Sequence, residues 1–255
     1  MLLQQKAVLP VPESEIDSGF YSPVFLVPKK TGGWRPVLDL KRLNKYIRLE
    51  HFKMESLNTV ILLVQPGDWM ASIDLQDAYF HIPIHSQFQH FLRFKVGNLH
   101  LQFQCLPFGI SSAPRTFSKV LGAILAPLRE RGIRVLHYLD DILVLSQHKS
   151  TLEEHTQTVL NTLTRFGWLI NFTKSQLAPT QRMVYLGALF STPERAVSLP
   201  PEKIPALIQK VKRALESHSM SASDCLSLTG SLASCIPMIK WARWHLRDFQ
   251  LGFLA

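Results

Sequence analysis

Residues 133–146 read IRVLHYLDDILVLS. Two short runs rich in leucine and β-branched residues, 133–136 and 142–145, have the composition of buried strands. Tyr138-Leu139-Asp140-Asp141 between them leave room only for a tight connection, and two of the four are acids. Asp is a favoured turn residue, so an Asp-Asp pair in a hairpin is more often a solvated turn than a metal site. Taken alone the pair carries modest weight. A second stretch raises it, because MASID (residues 70–74) is a compact apolar strand that also ends in an acid.

If these strands are neighbours in one sheet, Asp74, Asp140 and Asp141 converge at its edge. Carboxylates at that distance repel strongly unless cations intervene. Oxygen-only ligands with open positions suit Mg²⁺, which keeps waters and takes substrate phosphates to complete its octahedron. Two such ions roughly 3.5–4 Å apart would clamp the attacking and leaving oxygens of an in-line phosphoryl transfer.

Outward from the acids, residues 22–27 read as a strand, Thr31-Gly32-Gly33 as a turn and residues 34–38 as the returning strand. Lys29, Lys30 and Arg35 therefore crowd a hairpin tip. A lone Lys-Lys pair would be a solvated loop. Beside an acidic cluster, Lys30 and Arg35 supply the cationic half of phosphate chemistry, Arg in bidentate fashion and Lys as a point charge. Leu40, Leu43 and Ile47 mark a short helix, and residues 91–96 and 99–104 alternate around Gly97-Asn98, a strong hairpin signal. Residues 113–131 have helical periodicity and stop at Gly132. Thr151 with Glu154 makes a capping-box start for a helix ending near Gly167. Residues 184–190 read as one strand. His81 and His85 are four apart, but the intervening Ile-Pro-Ile opposes a helix and separates the rings, which disfavours a metal site there.

After Pro200-Pro201 the character changes. Ile204, Leu207, Ile208, Val211 and Leu215 define an amphipathic helix, Ser221 with Asp224 opens another, and residues 241–249 make a third. No internal repeat appears. The pattern predicts an α+β body followed by an all-helical last quarter, with the boundary at residues 191–200.

Lys and Arg total 28 against 19 Asp and Glu across 255 residues, a net charge of +9. That excess favours a polyanionic partner, most simply nucleic acid. Hydrophobic residues are 46% and charged residues 18% of the chain, unlike disorder. Cys105, Cys225 and Cys235 are far from any CxxC spacing, which suggests free thiols in a reducing compartment, with neither a disulfide framework nor a zinc site. No apolar run approaches the ~20 residues of a membrane span, and the N-terminus lacks the pattern of a signal peptide. The expected setting is intracellular, cytoplasmic or nuclear, without a membrane partner.

Several segments, taken in order, resemble the reverse transcriptases of retroviruses and retroelements over roughly residues 20 to 190. SPVFLVPKKTGGWRPVLDLKRLN resembles the fingers motif and DLQDAYF the first catalytic motif. LPFGISSAPRTF is similar to the motif lining the nucleotide and template pocket, and YLDDILVLS to the signature hairpin. Lys174 in NFTKSQL resembles the lysine of the following motif, and VYLG the primer grip at Tyr185, Leu186 and Gly187. LTGSLASCIPMIKWARWHLRDFQ resembles a thumb more weakly. The wording of the PFG and SSAP segments is closest to gypsy-like or DIRS-like retrotransposons.

The resemblance implies a right-hand polymerase fold: fingers at 1–48 and 82–112, palm at 49–81 and 113–190, and a helical thumb at 191–255, with connection and RNase H regions absent. It implies an RNA-directed DNA polymerase, a nucleotidyltransferase that adds deoxynucleotides to a primer 3′ end on an RNA or DNA template by two-metal catalysis, with Mg²⁺ or alternatively Mn²⁺. Asp74, Asp140, Asp141 and the carbonyl of Leu75 would hold the metals. The amides of Asp77 and Ala78, with Lys30 and Arg35, would meet the triphosphate, and Lys174 would donate a proton to departing pyrophosphate. Tyr79 would exclude a 2′-hydroxyl by stacking beneath the sugar; without the motif it would read as a core aromatic beside Phe80. Phe108 stands where retroviruses carry a glutamine, which removes polar contacts to the sugar. The rival readings are a catalytically inactive retroelement fragment that only binds nucleic acid, an RNA-dependent RNA polymerase, which should lack the aromatic at Tyr79, and a remote third, an interaction module.

Overall fold

In chain order the strands and helices are β1 (Val8–Pro10), β2 (Val24–Pro28), β3 (Trp34–Leu38), α1 (Lys41–Asn44), α2 (Leu57–Leu63), β4 (Trp69–Asp74), α3 (Ser86–Gln89), β5 (Arg93–Val96), β6 (Leu99–Phe103), α4 (Ala113–Glu130), β7 (Arg134–Tyr138), β8 (Asp141–Ser146), α5 (Lys149–Arg165), β9 (Gln176–Thr180), β10 (Arg182–Tyr185), β11 (Ala188–Ser191), β12 (Ala196–Ser198), α6 (Ile204–Glu216), α7 (Ala222–Ala233) and α8 (Ala242–Leu254). The structure, a computed structural model, describes residues 2–16, 18–28, 32–217 and 219–254, without the side chains of Arg35, Asp248 and residues 252–254. The chain is therefore α+β. It divides into two compact units: residues 1–54, 73–142 and 157–175, and residues 55–72, 143–156 and 176–255. A four-stranded sheet has the order β7-β8-β4-β9.

In the first unit, β1, β6 and β5 form a sheet in that order. Val8 pairs with Phe103 and Phe94 with Leu101. Alternate residues of a strand share a face, and here Phe94, Leu101 and Phe103 bury theirs in a core with Val8, Leu38, Leu40, Leu43 and Leu92. The Gly97-Asn98 hairpin forms as the sequence predicts, with Val96 opposite Leu99. In a separate two-stranded hairpin, β2 and β3 pair from Val24–Leu38 to Pro28–Trp34. Lys29, Lys30 and Thr31 at its tip lie outside the described residues. Helix α4 runs through Pro127 because Phe117, Leu121, Leu125 and Leu128 bury one continuous face, while the proline sits on the exposed side.

A buried arginine ties this unit's N-terminal loop to its sheet. Arg93, on β5, is 1% exposed. Its Nε donates to Gln102 Oε1 at 3.0 Å, and Nη1 donates to the carbonyls of Glu15 and Ser18, both at 2.8 Å. Nη2 is paired with the Glu15 carboxylate. Gly19 passes so closely that a Cβ there would stand 2.6 Å from the His90 carbonyl oxygen, and its φ of +85° already requires glycine.

In the second unit, β10, β11 and β12 form an antiparallel sheet. Residues 184–190, expected as one strand, instead fold into a hairpin. Tyr185 pairs with Ala188, and Leu186 (φ 47°) and Gly187 (φ 77°) are both left-handed. Positive φ at both central residues is the geometry that matches the right-handed twist of two-residue hairpins. Hydrophobic alternation alone could not reveal that reversal. Helix α5 begins at Lys149, so Thr151 lies within its first turn, inside the helix. The Ser221 cap is as expected, its side chain accepting from the Asp224 N–H at 3.1 Å. Asp68, within this unit, is fully buried, and its carboxylate accepts from the Gln65 N–H (2.7 Å) and from Gln147 Nε2. Thr192 Oγ1 donates to its carbonyl at 2.6 Å.

Replacing Arg93 with Met keeps the buried stem but strips the loop carbonyls of their donors. Such orphaned acceptors cost about 1–3 kcal/mol each, so Arg93→Met should lower the denaturation midpoint strongly. Urea titration followed by circular dichroism measures it; a midpoint equal to wild type would show that the loop is held by other contacts.

Candidate active site

Asp74 is the last residue of β4, and Asp140 and Asp141 sit where β7 turns into β8. The order of the sheet makes β4 and β8 neighbours. Their ends are locked together by one backbone hydrogen bond, in which the Leu75 N–H donates to the Asp140 carbonyl at 3.1 Å. The strand ends that carry Asp74 and Asp140, 66 positions apart in sequence, are therefore neighbours. Leu139, in the turn before them, has a φ of 52°. A left-handed leucine costs of order 1–2 kcal/mol, a strain typical of positions whose geometry is fixed by the surrounding structure.

The electrostatics follow from this crowding. Burial pushes the Asp74 carboxyl above its ordinary value of 3.8; Lys174 opposes the rise, Asp140 adds to it and a side-chain hydrogen bond from Asn171 opposes it. Asp141 is pushed up to about 6, first by burial, then by the negative charges of Asp140 and Asp74. Lys174 Nζ lies 3.9 Å from Asp74 Oδ1. Among the described residues no three His, Cys, Asp or Glu side chains close into a ready-made metal chelate. The oxygen donors present are those of an open site, in which one or two carboxylates hold a hard cation and a substrate's phosphates supply the rest. Burial lifts Asp141 first and repulsion by Asp140 and Asp74 adds to it; a bound cation would relieve the second of these.

Past Asp74 the chain enters a left-handed turn at Asp77 (φ 50°, ψ 39°) and a 3₁₀ turn over Ala78–His81. Asp77 Oδ2 accepts from Gln5 Nε2 at 2.9 Å. Tyr79 packs against Phe108 (5.0 Å between ring centres) and against the fully buried Phe117 at 5.4 Å. Phe117 in turn meets Trp168 edge-on, and Trp168 stacks on His81. Burial, then Asp140 and Tyr138, hold the Tyr79 phenol above its ordinary 10.0. His81 serves this scaffold: its Nε2 lies 3.0 Å from the Gln76 carbonyl, and burial lowers its pKa.

The loop carrying Phe108 is splinted from α1. Asn44 Nδ2 donates to the Gly109 carbonyl and the Ser111 N–H donates to Asn44 Oδ1, both at 2.9 Å. Sequence reasoning missed Asn44, Asn171 and the His81–Trp168 stack. Asn44 and Asn171 carried no distinguishing spacing, and their roles depend on partners about 65 and 97 positions away. Of the remaining predicted residues, Lys30 lies outside the described residues and Arg35 is described only in its backbone, paired with Val27. Tyr185, Leu186 and Gly187 belong to the second unit, where the Gly187 carbonyl accepts from Lys203 Nζ at 3.1 Å.

Residues 27–190 match the family described as reverse transcriptase (RNA-dependent DNA polymerase), and the chain belongs to that family. It is 31% identical to the Transposon Tf2-3 polyprotein of Schizosaccharomyces pombe over 159 residues, covering 62% of this chain and 12% of the polyprotein. It is also 31% identical to the Gag-Pol polyprotein of Rous sarcoma virus subgroup B over 191 residues, 70% of this chain and 12% of that one. The two identities are equal, so they do not separate a retrotransposon subclass from retroviruses. Among solved structures, the foamy viral protease-reverse transcriptase in complex with double-stranded DNA superposes with a TM-score of 0.77 at 22% identity, covering 92% of this chain and 38% of that chain. The same enzyme in complex with an RNA/DNA hybrid gives 0.74 at 20% identity, covering 92% and 29%. The fold is the polymerase fold of those proteins.

A carboxyl that stays protonated longer in the folded chain than in the unfolded one favours folding at low pH. That advantage disappears as pH rises from the unfolded value near 3.8 through the folded value near 6. The melting temperature of Asp141→Asn should therefore match wild type near pH 4 and exceed it above pH 6 in metal-free buffer. A pH-independent difference in calorimetry would contradict the raised carboxyl.

Proposed function

We propose that this chain is the polymerase portion of a reverse transcriptase, an RNA-directed DNA polymerase that adds deoxynucleotides to a primer 3′ end on an RNA or DNA template. The single observation that carries the reading is the meeting of Asp74 with Asp140 and Asp141 at the ends of adjacent strands, joined through the Leu75 N–H and the Asp140 carbonyl at 3.1 Å. Basic composition and solved neighbours that hold double-stranded DNA and an RNA/DNA hybrid support it. The chain spans only about an eighth of the polyproteins it matches.

In this reading Asp74, Asp140 and the Leu75 carbonyl would hold two Mg²⁺ ions, and Asp141 would complete the acidic cluster. Bound there, the ions would supply charge neutralisation for the attacking and leaving oxygens. The left-handed turn at Asp77 presents the amides of Asp77 and Ala78 to the triphosphate, and Lys30 and Arg35 neutralise its outer charge. Tyr79, backed by Phe108 and Phe117, closes the space where a 2′-hydroxyl would lie. Lys174 stands at the edge of the acids, placed to protonate pyrophosphate as it leaves. Tyr185, Leu186 and Gly187 form the primer grip. Fingers at 1–48 and 82–112, palm at 49–81 and 113–190 and thumb at 191–255 complete the assignment. Lys203, Lys210, Lys212, Arg213, Lys240, Arg243 and Arg247 follow the duplex backbone, a contact that weakens with salt as counterions are released. Among the described residues no helix is long and apolar enough to cross a membrane, and the proposed setting is cytoplasmic or nuclear.

Primer extension on poly(rA)/oligo(dT) tests this. Asp140→Asn should reduce incorporation by at least about 100-fold while duplex binding persists. Equal extension by the variant removes the acidic site, and binding without extension by either protein leaves an inactive nucleic-acid-binding fragment. Tyr79→Ala should raise incorporation of ribonucleotides relative to deoxynucleotides by about 10- to 200-fold. Unchanged discrimination removes the steric role of Tyr79.

A further inference from the structure

The turn that follows β4 is closed by a single side chain. His81 Nε2 lies 3.0 Å from the Gln76 carbonyl, so the ring reaches back across Asp77, Ala78, Tyr79 and Phe80. The same nitrogen lies 3.4 Å from the Leu169 N–H. A neutral ring nitrogen cannot donate to one and accept from the other at once. The shorter contact, to a carbonyl, assigns the proton to Nε2, which donates to Gln76. Backbone bonds join the same two segments: the Gln76 N–H donates to the Leu169 carbonyl at 2.8 Å, and Leu75 bridges Ile170.

The flat face of the ring has a second use. His81 stacks on Trp168, with ring centres 4.8 Å apart and planes 29° from parallel, and Trp168 is 5% exposed. Trp168 meets the fully buried Phe117 edge-on at 5.4 Å, and Phe117 meets Tyr79 at 5.4 Å. The path of contacts from His81 therefore returns to Tyr79, inside the turn that His81 closes. Asp77 at the head of that turn is left-handed (φ 50°), which is unfavourable for a residue with a Cβ, and a bond that closes the turn offsets that cost. A leucine at position 81 would fill the same space and make neither contact.

We propose that His81 is a positioning residue for the incoming nucleotide. Its Nε2–H fixes the turn whose Asp77 and Ala78 amides would receive the triphosphate, and its ring, through Trp168 and Phe117, backs Tyr79 against the sugar. The inference rests on the polymerase reading above and deepens it. The two tasks belong to different atoms of one side chain, so substitution can separate them. Backbone amides would hold the triphosphate alike before and during phosphoryl transfer, so loss of the tie weakens nucleotide binding and leaves the chemical step largely intact. Loss of the stack loosens the wall that would exclude a 2′-hydroxyl.

Steady-state primer extension on poly(rA)/oligo(dT) with dUTP and UTP, which differ only at the 2′-hydroxyl, is the direct test. His81→Phe keeps an aromatic face and removes the donor. It should raise KM for dUTP by about 2- to 10-fold with kcat little changed and with discrimination against UTP close to wild type. His81→Gln keeps an N–H donor of similar reach and removes the ring. It should raise incorporation of UTP relative to dUTP by about 2- to 10-fold, with a smaller change in KM for dUTP than in His81→Phe. Wild-type KM and wild-type discrimination in both variants, at unchanged melting temperatures, overturn the proposal, as does a fall in kcat alone. If His81→Phe does not fold, wild-type discrimination in His81→Gln overturns it instead. Asp140→Asn in the same assay separates the two levels: loss of extension there supports the polymerase reading whatever His81 does. If wild type itself fails to extend, that reading falls and the role of His81 with it.

Discussion

Two strand ends bearing acids are pinned side by side, and that costs free energy in the absence of a counter-charge. The bond from the Leu75 N–H to the Asp140 carbonyl fixes the approach of β4 and β8, and burial on the apolar side of each strand prevents the carboxylates from moving apart into water. Ile73, Ile142, Leu143 and Val144 are 1% exposed or less, so the strands cannot slip without exposing them. Burial first, and then the neighbouring charge of Asp140, raise the carboxyls of Asp74 and Asp141.

Around the acids the structure places rigid, mostly uncharged supports. One is an aromatic row running from Phe108 through Tyr79, Phe117 and Trp168 to His81. Tyr79 cannot swing away without breaking ring contacts on two sides. The other is an amide splint, Asn44 on the Gly109–Ser111 loop. A neutral amide suits this use because it both donates to and accepts from the backbone without adding charge near the acids.

The second unit uses the same economy in its hairpins. The two left-handed residues at Leu186 and Gly187 reverse the chain in two positions, and the Gly187 carbonyl is tied to Lys203 at the threshold of the terminal helices. All three cysteines are free thiols, with Cys105 buried and its pKa pushed up to about 12. The thiol there is packing, held near the Ala7 carbonyl at 3.4 Å.

What the sequence determined was whatever local chemistry can carry: strands as apolar runs, α4 as a stripe of Phe117, Leu121, Leu125 and Leu128, the Gly97-Asn98 turn, the Ser221 cap, and acids stranded at the ends of apolar strands. These read correctly because each is decided by residues a few positions apart. The reversal at Leu186 was lost because a hairpin and a single strand share the same alternation, and the start of α5 because a capping pattern can fall inside a helix. Only the tertiary structure decided that β4 lies beside β8. Only it supplied Asn44, Asn171 and the His81–Trp168 stack, whose partners are distant in sequence. Hydrogen bonds and ring contacts of that kind leave no periodicity, because their energy depends on where the folded backbone places two groups, and the spacing of either along the chain says nothing about it.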